Sequence, residues 1–261
     1  MFPVNDPDLH RSTRPWVIYA LVAVNVLVFL YQLALSQLDG VLFTYHFGLV
    51  PAELVSGAGP GIERFRLADG SVVSADLAST LPSWATVFTS MFVHGGVAHV
   101  LGNMVFLWVF GDNVEDRFGH QRFLLFYLAA GIAAAAAQVA VDPASQVPMV
   151  GASGAIAGVL GAYLLLFPYS RVDTLVIVGL IFHLRIRAVW LIGGWAALQT
   201  ISGLGSLGVS SAGSGVAYFA HLGGFVLGAG GVVVWRLAHG QRPWQGRPPR
   251  PRWGNGSGGW Y

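Results

Sequence analysis

The sequence predicts an all-α polytopic membrane protein, a bundle of six transmembrane helices with one long first loop. Three observations predict it. Of 261 residues, 54% are hydrophobic and only 10% charged, against about a quarter charged in soluble domains. Several apolar runs are long enough to cross a ~30 Å hydrocarbon core at ~1.5 Å per residue. The arginines, finally, fall almost entirely on one side of the topology that those runs define.

Residues 1–14 are polar and read as a frayed cytoplasmic N-terminal segment, with Arg11 and Arg14 just ahead of the membrane. The uncharged stretch Pro15–Leu38 is helix 1, an uncleaved signal anchor. Residues 39–93 form the long first loop. Within it, Ala68-Asp69-Gly70 reads as a hairpin turn, and the aromatic run from Trp84 to Val93 suits the membrane interface. Helix 2 is expected from about His94 to Asp112, and helix 3 from Phe123 to Val141, where Asp142-Pro143 ends it. Helix 4 is expected from about Met149 to Phe167. The apolar run Thr174–Leu184 is too short to cross and predicts a surface or re-entrant segment. No formal charge appears between Ala188 and Trp235, and the Gly/Ser-rich stretch Ser202–Gly215 divides that run. Helix 5 is then about Ala188–Ile201 and helix 6 about Val216–Trp235. Residues 15–238 make up the six-helix domain, and 239–261, rich in Arg, Pro, Gly and Trp, read as a disordered basic cytoplasmic tail.

Six crossings put both termini on one side. With the N-terminus in the cytoplasm, only Arg64 and Arg66 of the 14 basic residues lie outside, as the positive-inside rule requires. The expected location is a bacterial plasma membrane, with membrane lipids and other membrane proteins as partners. The pI of about 9.2 follows from this topology, and no nucleic-acid partner is implied. There is no Cys, which removes thiolate nucleophiles, thiolate zinc sites and iron–sulfur clusters. There is no Lys either, which removes Schiff-base and Ser–Lys chemistry. No cofactor is expected.

The stretch Gly151-Ala152-Ser153-Gly154 opens helix 4. Small residues at such spacing let membrane helices approach closely, so packing alone would account for it. The topology adds chemistry. Helices 2, 4 and 6 all enter from the outer face, and they carry His99 and Asn103, Ser153, and His221 to depths within about two helical turns of each other. Ionisable groups in a bilayer are rare and usually functional, although a single buried His more often serves a neighbouring carbonyl. His99 and Asn103, four apart, share one face of helix 2 and offer donors to an oxyanion. Ser153, near a helix N-terminus, adds a backbone N–H and a favourable dipole. Gly154, Gly158 and Gly161 on helix 4, with Gly223, Gly224 and Gly228 on helix 6, permit the close contact a Ser–His hydrogen bond needs.

Other chemistries fit less well. His94 and His99 stand about 140° apart round a helix and have no carboxylate or thiolate at ligand spacing. Asp112 lacks the second intramembrane carboxylate an aspartyl protease requires, and Glu115-Asp116-Arg117 reads as a network at a cytoplasmic helix end. A transporter would want a buried carboxylate or broken-helix repeat.

The chain resembles the rhomboid intramembrane serine proteases from about Phe47 to Gly228. The resemblance is carried by Phe47-Gly48-Leu49-Val50-Pro51, by His94, His99 and Asn103, by Gly111 with Val114-Glu115, by Gly151-Ala152-Ser153-Gly154, and by Ala220-His221-x-Gly223. It implies a rhomboid-like six-helix bundle and a Ser153–His221 dyad without a buried Asp. It also implies oxyanion assistance from Asn103 and His99, and a membrane-embedded first loop over residues 40–93. The implied activity is a serine endopeptidase cutting in or near transmembrane segments of protein substrates; a non-catalytic rhomboid-like binder is the alternative. Two positions depart from the family pattern. Trp84-Ala85-Thr86 stands where many members have Trp-Arg, and Ala157 stands where some place an aromatic beneath the histidine.

Overall fold

The computed structural model describes residues 2–9, 11–66, 70–178, 180–207 and 216–242. The first half runs β1 (Phe2–Asn5), α1 (Trp16–Ala34), α2 (Gln37–Phe47), α3 (Pro51–Ser56), β2 (Ile62–Arg66), β3 (Val72–Asp76) and α4 (Ser83–Thr89). The second runs α5 (Val97–Phe118), α6 (His120–Val141), α7 (Ser153–Leu166), β4 (Arg171–Val178), β5 (Leu180–Arg187), α8 (Ala188–Ser206) and α9 (Tyr218–Ala238). Five helices, α1, α5, α6, α8 and α9, are long and apolar enough to cross a membrane.

The helix expected fourth is α7, and it is different in kind. With 14 residues it rises only ~21 Å, short of a full hydrocarbon core. It is buried on nearly every side, and its neighbours α5, α6 and α9 pack around it. The outer helices bury a stripe and turn the rest outward. On α1, Ile18, Leu21, Asn25 and Phe29 face the bundle while Leu27, Leu30, Tyr31 and Leu33 are exposed. An apolar exterior of this kind is suited to lipid as solvent.

Glycine sets the spacing at the centre. A Cβ on Gly224 would overlap the Gly154 carbonyl oxygen, and one on Gly228 would overlap the Gly158 carbonyl. Helices α7 and α9 therefore touch backbone to backbone, the approach the small-residue pattern predicts.

The opposite end of the bundle is closed by carboxylates. Glu115 is fully buried at 0% exposure and accepts from the backbone N–H groups of Val17 (3.0 Å) and Ile18 (2.9 Å). It thereby supplies acceptors to the first turn of α1, and it also meets His120 Nδ1. Asp116 accepts from the Ser12 and Thr13 amides, and Arg11 pairs with Asp112 at 3.0 Å. With Asp112, Glu115 and Asp116 partnered, α5 continues past the expected stop at Asp112 to Phe118.

Three expectations are corrected. The protein is mostly helical but not all-α: β4 and β5 form a hairpin where a surface or re-entrant segment is expected, and β1 adds to it in the order β1-β4-β5. The N-terminal segment is not frayed. Phe2 lies opposite Leu175, and buried Asp6 accepts from Ser170 Oγ (2.7 Å), from Asn113 Nδ2 (3.4 Å) and from the Tyr163 hydroxyl. Burial pushes the Asp6 carboxyl above its ordinary value of 3.8. Helix α7 starts at Ser153 rather than Met149, because Met149 is held extended against Leu49 and Gly151 has a φ of 114°.

Strands β2 and β3 pair in the register expected of a hairpin, with Arg66 opposite Val72. Two of the turn residues named above, Ala68 and Asp69, lie outside the described residues. So do 208–215 of the dividing stretch and 243–261 of the tail.

Candidate active site

The site is built from the loop that delivers Ser153. Residues of the first loop hold that segment: Leu49 and Met149 exchange backbone hydrogen bonds, Ala52 N–H donates to Ser145 O at 3.0 Å, and Gly151 N–H donates to Ser90 O at 2.8 Å. Gly151 is confined twice over. Its positive φ disfavours a side chain, and a Cβ there would lie 2.6 Å from His99 Nε2. The chain then turns into α7 with Ser153 as its first residue and no side-chain cap. N–H groups of a helix's first turn have no intrahelical acceptor and carry the positive end of the dipole.

His221 sits in the first turn of α9. The glycine contact between α7 and α9 brings its Nε2 to 2.8 Å from Ser153 Oγ. On the other side of the ring, Nδ1 lies 2.9 Å from Gln199 Oε1 on α8. An amide oxygen can only accept, so Nδ1 carries the proton and Nε2 is left to accept from the serine hydroxyl. Trp195, one turn before Gln199, packs on the imidazole with centroids 5.9 Å apart.

His94 is 2% exposed, and three contacts fix it. Its backbone N–H and carbonyl are both bonded to the Gln32 amide of α1 at 3.0 Å. Its Nδ1 donates to Phe92 O at 3.2 Å, and its Nε2 accepts from Asn103 Nδ2 at 2.9 Å. One N–H of the Asn103 amide is thus occupied by His94, and the amide lines the same cavity as Ser153. Gly95 N–H approaches His99 Nδ1 at 3.4 Å, which places the His99 proton on Nε2, against Gly151.

All four residues expected in the site, Ser153, His221, His99 and Asn103, line one open cavity of about 420 Å³, together with Trp195 and Ala157. Two further residues, Gln199 and Trp195, escaped the sequence reading. His94 was counted there among the residues of the resemblance and weighed as a metal ligand, but was given no role in the site, whereas it holds Asn103. Gln199 and Trp195 carry the i, i+4 spacing of one helical face, a signal present in the sequence but indistinguishable from ordinary packing.

A mostly helical bundle with several apolar helices of membrane-crossing length, and a serine and a histidine hydrogen-bonded across its central helix pair, defines a polytopic membrane protein. The family is narrower than that. Residues 82–237 match the Rhomboid domain, and the chain belongs to the rhomboid family. It is similar to Rhomboid protease GluP of Bacillus subtilis (strain 168), 46% identical over 81 residues, covering 31% of this chain and 15% of that protein. It is 37% identical over 81 residues to Putative rhomboid protease YdcA of the same organism, covering 31% of this chain and 40% of the relative. A longer match joins it to Rhomboid-like protein 11, chloroplastic, of Arabidopsis thaliana, 29% identical over 171 residues, 64% of this chain and 57% of that protein. The chain thus covers less than two thirds of each of these relatives.

Proposed function

We propose that this chain is an intramembrane serine endopeptidase that cuts peptide bonds in or near transmembrane segments of other membrane proteins. The observation that carries the reading is the 2.8 Å contact between Ser153 Oγ and His221 Nε2, with an orienting acceptor on Nδ1. Membership of a family whose relatives include proteins named rhomboid protease supports it.

In the proposed mechanism, His221 Nε2 takes the hydroxyl proton as Ser153 Oγ bonds to the scissile carbonyl carbon. The resulting oxyanion is met by the second N–H of Asn103, by His99 Nε2–H and by the Ser153 amide, each such donor being worth roughly 2.7–4 kcal/mol. His221 returns its proton to the leaving amine as the C–N bond breaks. Water, losing a proton to Nε2, then adds to the acyl-enzyme, and the proton goes back to Oγ as the ester opens. No metal or cofactor enters this scheme.

The substrate must present an unpaired backbone, so segments with Gly, Pro or other helix-weakening residues near the outer interface are the preferred targets. In this topology α7, the fourth of six membrane helices, is the short one. Both termini lie in the cytoplasm of a bacterial cell, and the cavity opens toward the outer side. The first loop, which in the structure braces the approach to Ser153, is embedded at that surface.

The test is cleavage of a model single-pass substrate in proteoliposomes by wild type, Ser153→Ala and His221→Ala. Loss of cleavage in both variants is expected. Equal cleavage by all three contradicts the reading, and no cleavage by folded wild type contradicts it in favour of a non-catalytic binder.

A further inference from the structure

One turn after Ser153 on α7 stands Ala157, not an aromatic, and it lines the cavity with His221. Nor does a carboxylate hydrogen-bond Nδ1 of His221, as the partner of that nitrogen is the Gln199 amide. What contacts the outer side of the ring is α8. Gln199 Oε1 lies 2.9 Å from Nδ1, and Trp195 covers the ring at 5.9 Å, tilted by 43°. Trp195 is itself backed by Phe225 of α9, with centroids 6.1 Å apart. These two residues, four apart, come from one face of a helix that is otherwise only thinly attached. Its buried residues are Ala188 and Ile192 near the start and Gly203 near the end, with none between them.

We infer that Gln199 and Trp195 are the positioning pair for His221, with Gln199 fixing the Nδ1–H tautomer and Trp195 fixing the plane of the ring. This rests on the protease reading for its kinetic consequences, but the tautomer itself does not. A neutral imidazole with no partner on Nδ1 populates both tautomers, and the Nε2–H form cannot accept the serine proton. A ring with no wall on its outer face can swing away from Oγ. The amide cures the first defect and the indole the second. The site thus becomes a Ser–His–Gln chain spread over α7, α9 and α8, so an outward displacement of α8 breaks the outer link of that chain.

The substitution that isolates the hydrogen bond is Gln199→Met, close in shape but without the acceptor. Gln199→Glu keeps an acceptor and adds charge. The other titratable group facing His221 is His99, across the cavity on α5. With a single-pass substrate in detergent, Gln199→Met is expected to lower kcat about 10- to 100-fold with KM within about threefold, the size of one orienting hydrogen bond. Gln199→Glu is expected to retain kcat, and to move the acid limb of the kcat/KM profile up by about one pH unit, since a carboxylate stabilises the protonated ring. Trp195→Ala is expected to lower kcat, and Trp195→Phe to restore most of it. Nitrogen-15 NMR of the His221 side chain reads the tautomer whether or not substrate is cut. The expected result is a single Nδ1–H form in wild type and a mixture in Gln199→Met. An Nε2–H form in wild type, or an unchanged tautomer and unchanged kcat in Gln199→Met, overturns the inference. Absence of cleavage by wild type would instead count against the protease reading, and the NMR result would still decide this one.

Discussion

The Nδ2 of Asn103 lies 2.9 Å from Nε2 of His94, so the amide proposed to meet the oxyanion is itself held by a buried imidazole. His94 is in turn clamped by Gln32, which ties α1 to the site. His94→Ala should therefore lower kcat by about 10- to 100-fold without touching Ser153 or His221. Asn103→Ala should cost about 10²–10³, the usual effect of one lost oxyanion donor. Because the two act as one unit, the double variant should be no worse than Asn103→Ala alone. Additive losses in the kinetics of the four proteins would separate the two residues.

Glycine placement predicts a contrast within one helix. Gly224→Ala introduces a methyl into the Gly154 carbonyl, so α9 must move off α7 at a cost of about 1–3 kcal/mol, and the Ser153–His221 contact opens with it. Cleavage should fall at least tenfold. A Cβ at Gly230 or Gly231 of the same helix meets nothing within 4 Å. Alanine there should leave activity intact and raise stability by up to about 1 kcal/mol through helix propensity. Thermal melts and cleavage rates of the three variants decide it.

Much of this was legible before any coordinates. Polar residues inside apolar runs are few, and the arginine distribution orients the runs, so Ser153, His99, Asn103 and His221 could be brought to one layer by counting residues. What could not be counted was register between distant segments. Phe2 finds Leu175, remote in sequence, only through strand pairing between β1 and β4. An eight-residue strand such as β4 reads equally well as a short buried helix. The start of α7 moved to Ser153 because the backbone at Met149 and Gly151 answers to Leu49 and Ser90, which are remote in sequence. Gln199 was missed for the same reason. A glutamine 22 positions before a histidine announces nothing until α8 has been docked.

Asp6, just past the N-terminal strand, carries a pH signature. Burial raises the Asp6 carboxyl above 3.8, so the folded protein binds that proton more tightly than the unfolded chain does. The contribution of Asp6 is fullest below about 3.8 and is lost as pH rises through its raised folded value. Asp6→Asn, neutral at every pH, should flatten that part of the melting-temperature profile. A wild-type profile that rises with pH across this window, or one unchanged in Asp6→Asn, would contradict the assignment.

Glu115 predicts a stability effect at the end of the bundle far from the serine. Glu115→Ala leaves the buried N–H groups of Val17 and Ile18 without their acceptor, at about 1–3 kcal/mol for each orphaned donor. The melting temperature should drop accordingly. Glu115→Gln, which keeps one acceptor oxygen, should lose less. Equal melting temperatures for all three proteins would contradict the capping role.

The central claim is that His221 activates Ser153. The most direct measurement is the rate at which a fluorophosphonate modifies the protein, with the adduct located by peptide mass spectrometry. The account predicts modification at Ser153 in wild type, slowed by about 10²–10³ in His221→Ala, in line with loss of a general base. An unmodified Ser153 in folded wild-type protein, or a rate indifferent to His221, would contradict it.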